Sequence, residues 1–177
     1  MKALQTIVTL ALVLCALAAR ADALQDAIAA IQRKDYPTAL RLLEPLARAG
    51  NPLAQTRLGM LYYHGQGVPE NDALALQWFE RAARQGLAEA QFNLGNMHAY
   101  GLAKGPADQD PSRAAAQWYF EAARQGHADA QYSLGILFLT GSGVVQSADE
   151  ARKWIGRAAA QGHADAQAYL QGQPAPR

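Results

Sequence analysis

Four histidines are the side chains of this 177-residue sequence best suited to metal binding or proton transfer. They are His64, His98, His127 and His163. A zinc site brings several ligands together, and on a helix it uses spacings such as His-x-x-x-His, which none of these histidines has. His127 and His163 instead stand at equivalent positions of successive repeats, where another repeat has Asn51. We therefore expect solvated histidines near helix caps and no metal ligands.

The remaining candidates for chemistry are an acidic loop and a serine. Asp108 and Asp110 are too few for a calcium site, which takes six or more oxygen ligands, and Asp110 before Pro111 is typical of a helix N-cap. Ser142 lies between two glycines but outside the Gly-x-Ser-x-Gly pattern of a serine nucleophile. Paired carboxylates for glycoside cleavage stay open, because their separation in space cannot be read from sequence. The sequence predicts no catalytic, cofactor-binding or metal-binding residue.

The N-terminus has the pattern of a signal peptide. Lys2 precedes an apolar run of 14 residues, 4–17, which is short for a membrane span of roughly 20 residues. Small residues allow cleavage after Ala21 or Ala23, and a retained anchor is the alternative. We assign 1–23 as a signal peptide and expect a periplasmic or secreted protein that meets the membrane only before cleavage. The sole cysteine, Cys15, would leave with it, so the mature chain could form no disulfide.

Composition favours helices and argues against nucleic acid as a partner. Half of the residues are apolar, and the frequent alanines are strong helix formers. The formal net charge is +1, and the sixteen basic residues are scattered among fifteen acidic ones. A nucleic-acid surface needs clustered positive charge, so we expect no such partner.

A motif, Ala-Gln-x-x-Leu-Gly, organises the chain. Full copies lie at 54–59, 90–95 and 130–135, and a partial copy begins at 166. Each full copy is followed by a glycine turn and a second apolar stripe with a tryptophan. The tryptophans are Trp78, Trp118 and Trp154. Repetition at this period indicates stacked helix pairs in which leucine fills the gap between helices, glycine allows two helix backbones to cross closely and tryptophan carries the large buried area.

These patterns predict an all-α fold, an α/α solenoid of antiparallel helix pairs whose members we call A and B. We assign repeats to 51–86, 87–126 and 127–162, and a single helix to 163–170, within a repeat region of 51–170. Residues 24–50 are a diverged helix pair that we assign as an N-terminal cap, and Pro45 should kink or shorten its second helix. Gly86 is placed for a left-handed C-cap. Residues 171–177 are assigned as a disordered tail.

The sequence resembles the Sel1-like repeat, a relative of the tetratricopeptide repeat, over about 51–170. The resemblance rests on Leu-Gly, then Gly-x-Gly-Val-Pro, then Ala-Leu-x-Trp-Phe-x-x-Ala-Ala-x-x-Gly in the first repeat. The second repeat departs from it by a longer loop, and the third has Val145 where the first has Pro69. The resemblance implies an α/α solenoid used for protein–protein interaction, often in bacterial envelope proteins.

The A helices supply the predicted binding surface, the concave face of the solenoid. Taking Leu-Gly as the inward register predicts three outward residues in each repeat, with many aromatic and aliphatic side chains and few charges. They are Thr56, Met60, Tyr63, Phe92, Asn96, Tyr100, Tyr132, Ile136 and Leu139. Tyrosine and phenylalanine are favoured at interfaces, although aromatics at helical spacing are more often part of a core. Exposure decides between these interpretations.

Our preferred hypothesis is an exported, non-catalytic scaffold without a cofactor that binds a protein through this concave face, for example as an inhibitor or immunity-type partner of an envelope protein. The alternative is a small periplasmic hydrolase or cell-wall-modifying enzyme, which would need a polar pocket with convergent acids or histidines. The single helix at 163–170 would leave an open solenoid end, so self-association through that end is a further prediction.

Overall fold

The structure, a computed structural model, describes residues 22–103 and 110–172. These residues form nine α-helices and no strand. The helices are α1 (22–32), α2 (Tyr36–Arg48), α3 (Pro52–Tyr63), α4 (Asp72–Arg84), α5 (Ala88–Ala99), α6 (Pro111–Arg124), α7 (Ala128–Thr140), α8 (Ala148–Ala160) and α9 (Ala164–Leu170). Odd-numbered helices are the A helices and even-numbered ones the B helices. From α2 onward each helix packs mainly on its neighbours in the chain, so the predicted all-α solenoid is confirmed.

Three predicted features lie wholly or partly outside the described residues. They are residues 1–21 of the assigned signal peptide, Asp108 of the acidic loop, and 173–177 of the assigned tail. None of the helices in the described part combines the length and the apolar character that a membrane crossing requires.

Polar caps and glycines set the helix ends where the sequence places them. The Asn51 side chain accepts the Ala54 N–H at 2.9 Å at the start of α3, and Asp110 accepts the Ser112 N–H at 2.9 Å at the start of α6. Gly86, after α4, has a φ of +88°, which confirms the predicted left-handed C-cap. Because each helix has its own stop and start signals, helix bounds follow closely from local sequence.

Of the two effects expected of Pro45, a kink or a shorter helix, the shortening does not occur. The helix runs on to Arg48, three residues beyond the proline, and the Ala49 N–H still donates to the Pro45 carbonyl at 3.0 Å. Leu43, Leu46 and Ala47 around it are buried. Packing therefore outweighs the hydrogen bond that proline cannot make.

The core is divided into four clusters, each joining a B helix to the next A helix. The motif leucines lie in these clusters with at most 1% of their surface exposed. They are Leu58, Leu94 and Leu134. Trp154 is buried in the core, whereas Trp78 and Trp118 are partly buried and pack against the edges of two clusters. The residue after each tryptophan is the one that fills the core. These residues are Phe79, Tyr119 and Ile155.

The motif glycines make room for those same side chains. A Cβ atom on Gly95 would lie 2.6 Å from the ring of Tyr119, and one on Gly59 would lie 2.7 Å from the ring of Phe79. We expected two helix backbones to be the cause, but at these two sites the close atoms belong to side chains. The glycine therefore leaves a space, which we call the socket, for a large side chain of the B helix in the same repeat.

Candidate functional site

One set of exposed and half-exposed residues on the A helices recurs every three or four positions and shares one side of each helix. We call this surface the A-helix face. Its residues are Leu53, Arg57, Met60 and His64 on or next to α3, Glu89, Asn93, Asn96 and Tyr100 on or next to α5, Asp129, Ser133, Ile136 and Thr140 on α7, and Asp165 and Tyr169 on α9. The face mixes apolar, amide and acidic groups, so it is more polar than the predicted strip.

The nine predicted binding residues range from exposed to fully buried. Four of them belong to the A-helix face. These are Met60, Asn96, Tyr100 and Ile136. Thr56 was wrongly predicted to face outward: it is fully buried, and its hydroxyl donates to the Pro52 carbonyl at 2.9 Å. Tyr63 and Leu139 are half-buried against core clusters, and so are Met60 and Ile136 of the A-helix face. Partner binding by the predicted residues on the A-helix face stays a prediction.

Phe92 and Tyr132 are held by histidines of the following repeat. The Phe92 ring stacks on His127 with centroids 4.7 Å apart, and the Tyr132 ring stacks on His163 at 4.6 Å. Each histidine also caps a helix, because Nδ1 accepts a backbone N–H at 3.3 Å. The histidines were correctly placed at caps but are half-buried rather than solvated.

Charged side chains of the A-helix face connect one repeat to the next. Arg57 on α3 donates from Nη1 to Glu89 on α5. Nε2 of His163 lies 3.3 Å from Oδ1 of Asp129 on α7. These acids also lie in the first turns of their helices, where the dipole favours negative charge, so their presence has a structural explanation.

A cavity of about 220 Å³ opens between α1 and α3, beside Arg57. Its walls are largely apolar, and two glutamines and the arginine also line it. The lining residues are Ile28, Ile31, Gln32, Arg57, Met60, Leu61 and Gln66. Arg57 donates from Nη1 to Sδ of Met60 at 3.5 Å and to Oε1 of Glu89, and its side chain lines the cavity. The cavity can take an apolar side chain next to a hydrogen-bond acceptor.

Glutamines form a ladder that the sequence analysis missed. The motif glutamine of each A helix donates from Nε2 to the last turn of the preceding B helix, as Gln131 does to the Ala123 carbonyl at 3.1 Å. Its Oε1 accepts from the glutamine that ends its own repeat, as Gln131 does from Gln161 at 2.7 Å. Gln55 and Gln91 make the same pair of bonds. The signal was present, because both glutamines recur in every full repeat.

The polar groups nearest the core have structural partners. Tyr119 donates from its hydroxyl to Oδ1 of Asn96 at 2.7 Å, and burial raises the pKa of Tyr119. Burial also lowers the pKa of His98. Within 22–103 and 110–172, no three His, Cys, Asp or Glu side chains are grouped so that they could hold a metal ion.

The fold and the glutamine-linked helix pairs define a repeat protein, and comparison with protein families identifies which one. The Sel1 repeat model matches 12–51, 52–87, 88–127 and 128–163. The chain belongs to the Sel1 repeat family, whose members generally act as scaffolds for protein–protein interaction. The first match includes the helix pair that we had assigned as a cap, which is therefore a diverged repeat.

Solved structures of Sel1 repeat proteins are similar to this chain. A Sel1 repeat protein from Oxalobacter formigenes is 37% identical, with a TM-score of 0.76 over 84% of this chain and 58% of that one. The protective antigen c5321 of uropathogenic Escherichia coli is 35% identical, with a TM-score of 0.69 over 76% of this chain and 28% of that one. This chain thus spans less than two thirds of either protein.

A more distant structure shares the fold alone. Helicobacter pylori cysteine rich protein B is 21% identical, with a TM-score of 0.55 over 82% of this chain and 95% of that one. A comparison with curated proteins finds no match.

Proposed function

We propose that this protein is an exported, non-catalytic scaffold that binds a protein partner through the A-helix face. The cavity between α1 and α3 carries the proposal, because it gives that face an apolar recess beside the donors of Arg57. Interfaces are commonly anchored by one apolar side chain in a pocket with polar contacts around it. In this proposal the partner places an apolar residue in the cavity and a backbone or carboxylate oxygen on Arg57.

The parts of the A-helix face on α5 and α7 would then also contact the partner. Asn93 and Ser133 lie on it at the positions equivalent to Arg57 and, being half-exposed, can hydrogen-bond an extended chain. The signal-peptide pattern at 1–23 supports export, and an inhibitor or immunity-type role toward an envelope protein is the specific form of the proposal. Self-association through α9, where Tyr169 and Leu170 are exposed, remains a second predicted contact.

Site-specific photo-crosslinking in cells tests the proposal. A photoreactive residue in place of Asn93 or Ser133 should crosslink one discrete protein, whereas the same residue at Gln77 or Gln117 should not. Gln77 and Gln117 are exposed on the B helices α4 and α6, so they control for general surface capture. Equal yields from both faces would contradict binding through the A-helix face. Export is tested separately by fractionation of the untagged chain.

A substitution that fills the cavity gives a second test of the proposal. Met60→Trp should fill the space beside Arg57 and lower the crosslinking yield at Asn93 about tenfold, the effect of losing one interface anchor. An undiminished yield would show that the partner does not use the cavity.

A further inference from the structure

His127 and His163 make the same three-part contact at two successive joints between repeats. In each, the imidazole ends the turn before an A helix, accepts a backbone N–H at Nδ1, and stacks on an aromatic ring of the preceding A helix. The capping bond requires Nδ1 to be unprotonated, because a protonated nitrogen is a donor and would face another donor. At the first joint of this kind in the chain, Asn51 makes the cap with a side chain that does not titrate.

The two histidines differ in what surrounds the other ring nitrogen. Nε2 of His163 lies 3.3 Å from Oδ1 of Asp129. Three groups face His127: the Phe92 ring and Glu89 on α5, and Asp129 two residues ahead on its own helix. Glu89 is already paired with Arg57, and within the described residues no carboxylate lies within salt-bridge distance of His127.

We propose that His127 is an acid-sensitive joint between α5 and α7. Protonation of His127 removes the cap of α7 and places a charge in a half-buried stack without a paired carboxylate. Since a solenoid is held together by contacts between neighbouring repeats, the effect is local: α7–α9 loosen from α1–α6.

The direction of the pH dependence follows from burial. Burial lowers the pKa of His127 below its ordinary value of 6.5, and the charges of Asp129 and Glu89 oppose this only in part. The unfolded chain therefore takes up a proton at higher pH than the folded one. The stability contributed by neutral His127 is complete above pH 6.5 and is lost as the pH falls through 6.5 toward the lower folded pKa.

Thermal unfolding of the whole chain between pH 8 and about pH 5.5, where carboxylates stay ionised, tests the proposal. The wild-type midpoint should fall by about 2–4 °C more than that of His127→Asn, which keeps a cap but cannot titrate. His163→Asn should keep the wild-type pH dependence. His98 titrates in all three proteins, so its contribution cancels in the comparison.

A local measurement distinguishes the joint from general acid destabilisation. The amide resonance of Ala130, which donates to His127, should move with the histidine titration in wild type and stay fixed in His127→Asn. The proposal is overturned if His127→Asn keeps the full wild-type dependence, or if His163→Asn removes it.

Discussion

At the scale of single residues, the Leu-Gly motif needs glycine because a large side chain of the following B helix occupies the space where a Cβ atom would lie. Tyr119 lies against Gly95, and its hydroxyl is also held by Asn96 at 2.7 Å, so the ring cannot move aside without losing that bond. Gly95→Ala should therefore destabilise the protein by about 1–2 kcal/mol in denaturant unfolding, because overpacking exceeds the gain in helix propensity.

Gly156 provides the matched control for that substitution. It also lies inside a helix, α8, but a Cβ atom there would meet nothing within 4 Å. Gly156→Ala should stabilise the protein by about 0.5–1 kcal/mol, since alanine is the better helix former and no neighbour opposes it. If the two substitutions shift the free energy of unfolding in the same direction, the socket explanation fails.

Residue-level prediction from sequence succeeded for spacing and failed for orientation. The glycine recurs, so a steric reason could be inferred, but which side chain causes it depends on how α6 rotates against α5. The rotation of a helix about its axis is likewise uncertain by about one position, and this error placed Thr56 on the surface although it is buried. The stacking partners of Phe92 and Tyr132 come from the next repeat and have no local signal in the sequence.

At the scale of helices, the glutamine ladder joins the end of each B helix to the next A helix. The last carbonyls of a helix lack the usual partner in the next turn. The Ala123 carbonyl accepts the Gly126 N–H at 3.0 Å, and a carbonyl oxygen can accept a second bond. Gln131, only 4% exposed, donates to the Ala123 carbonyl and accepts from Gln161. Gln131→Ala should lower the free energy of unfolding by about 2–3 kcal/mol, the loss of two hydrogen bonds and some packing.

Gln167→Ala tests whether burial, and not glutamine itself, makes the ladder strong. Gln167 makes the equivalent bond to the Ala159 carbonyl at 3.1 Å but is exposed, so water can replace it. We expect a loss of about 0.5–1 kcal/mol in the same urea titration. Equal losses from both substitutions would contradict this account of the ladder.

Helix positions were predictable because their signals are local. Asn51, Asp110 and the glycines that end B helices mark starts and stops within a few residues. The shortening expected from Pro45 does not occur, because the packing of α2 outweighs the local preference against proline inside a helix. The ladder was missed for the opposite reason: each glutamine is unremarkable alone, and its role exists only between helices.

At the scale of the molecule, stability is distributed over overlapping interfaces. Trp154 of α8 packs in the cluster formed by α6 and α7, and Tyr132 and Ile136 of α7 pack in the next cluster, formed by α8 and α9. Each helix pair therefore depends on the following one. The helix pair at 24–50 lacks Leu-Gly, but the Sel1 repeat model also matches 12–51.

Removal of α9 should show this dependence directly. A chain that ends at Gly162 loses buried Ala166, the bond from Gln167 and the stack of His163 on Tyr132, and uncovers the apolar side chains that pack around them. Its thermal midpoint should fall by about 5 °C or more, and it should elute earlier in size-exclusion chromatography as the uncovered surface drives association. A chain that ends at Gly172 keeps α9 and should behave as the full chain does. If both truncated chains melt and elute alike, α9 contributes nothing to the array, and neighbour-dependent stability does not extend to this end of the molecule.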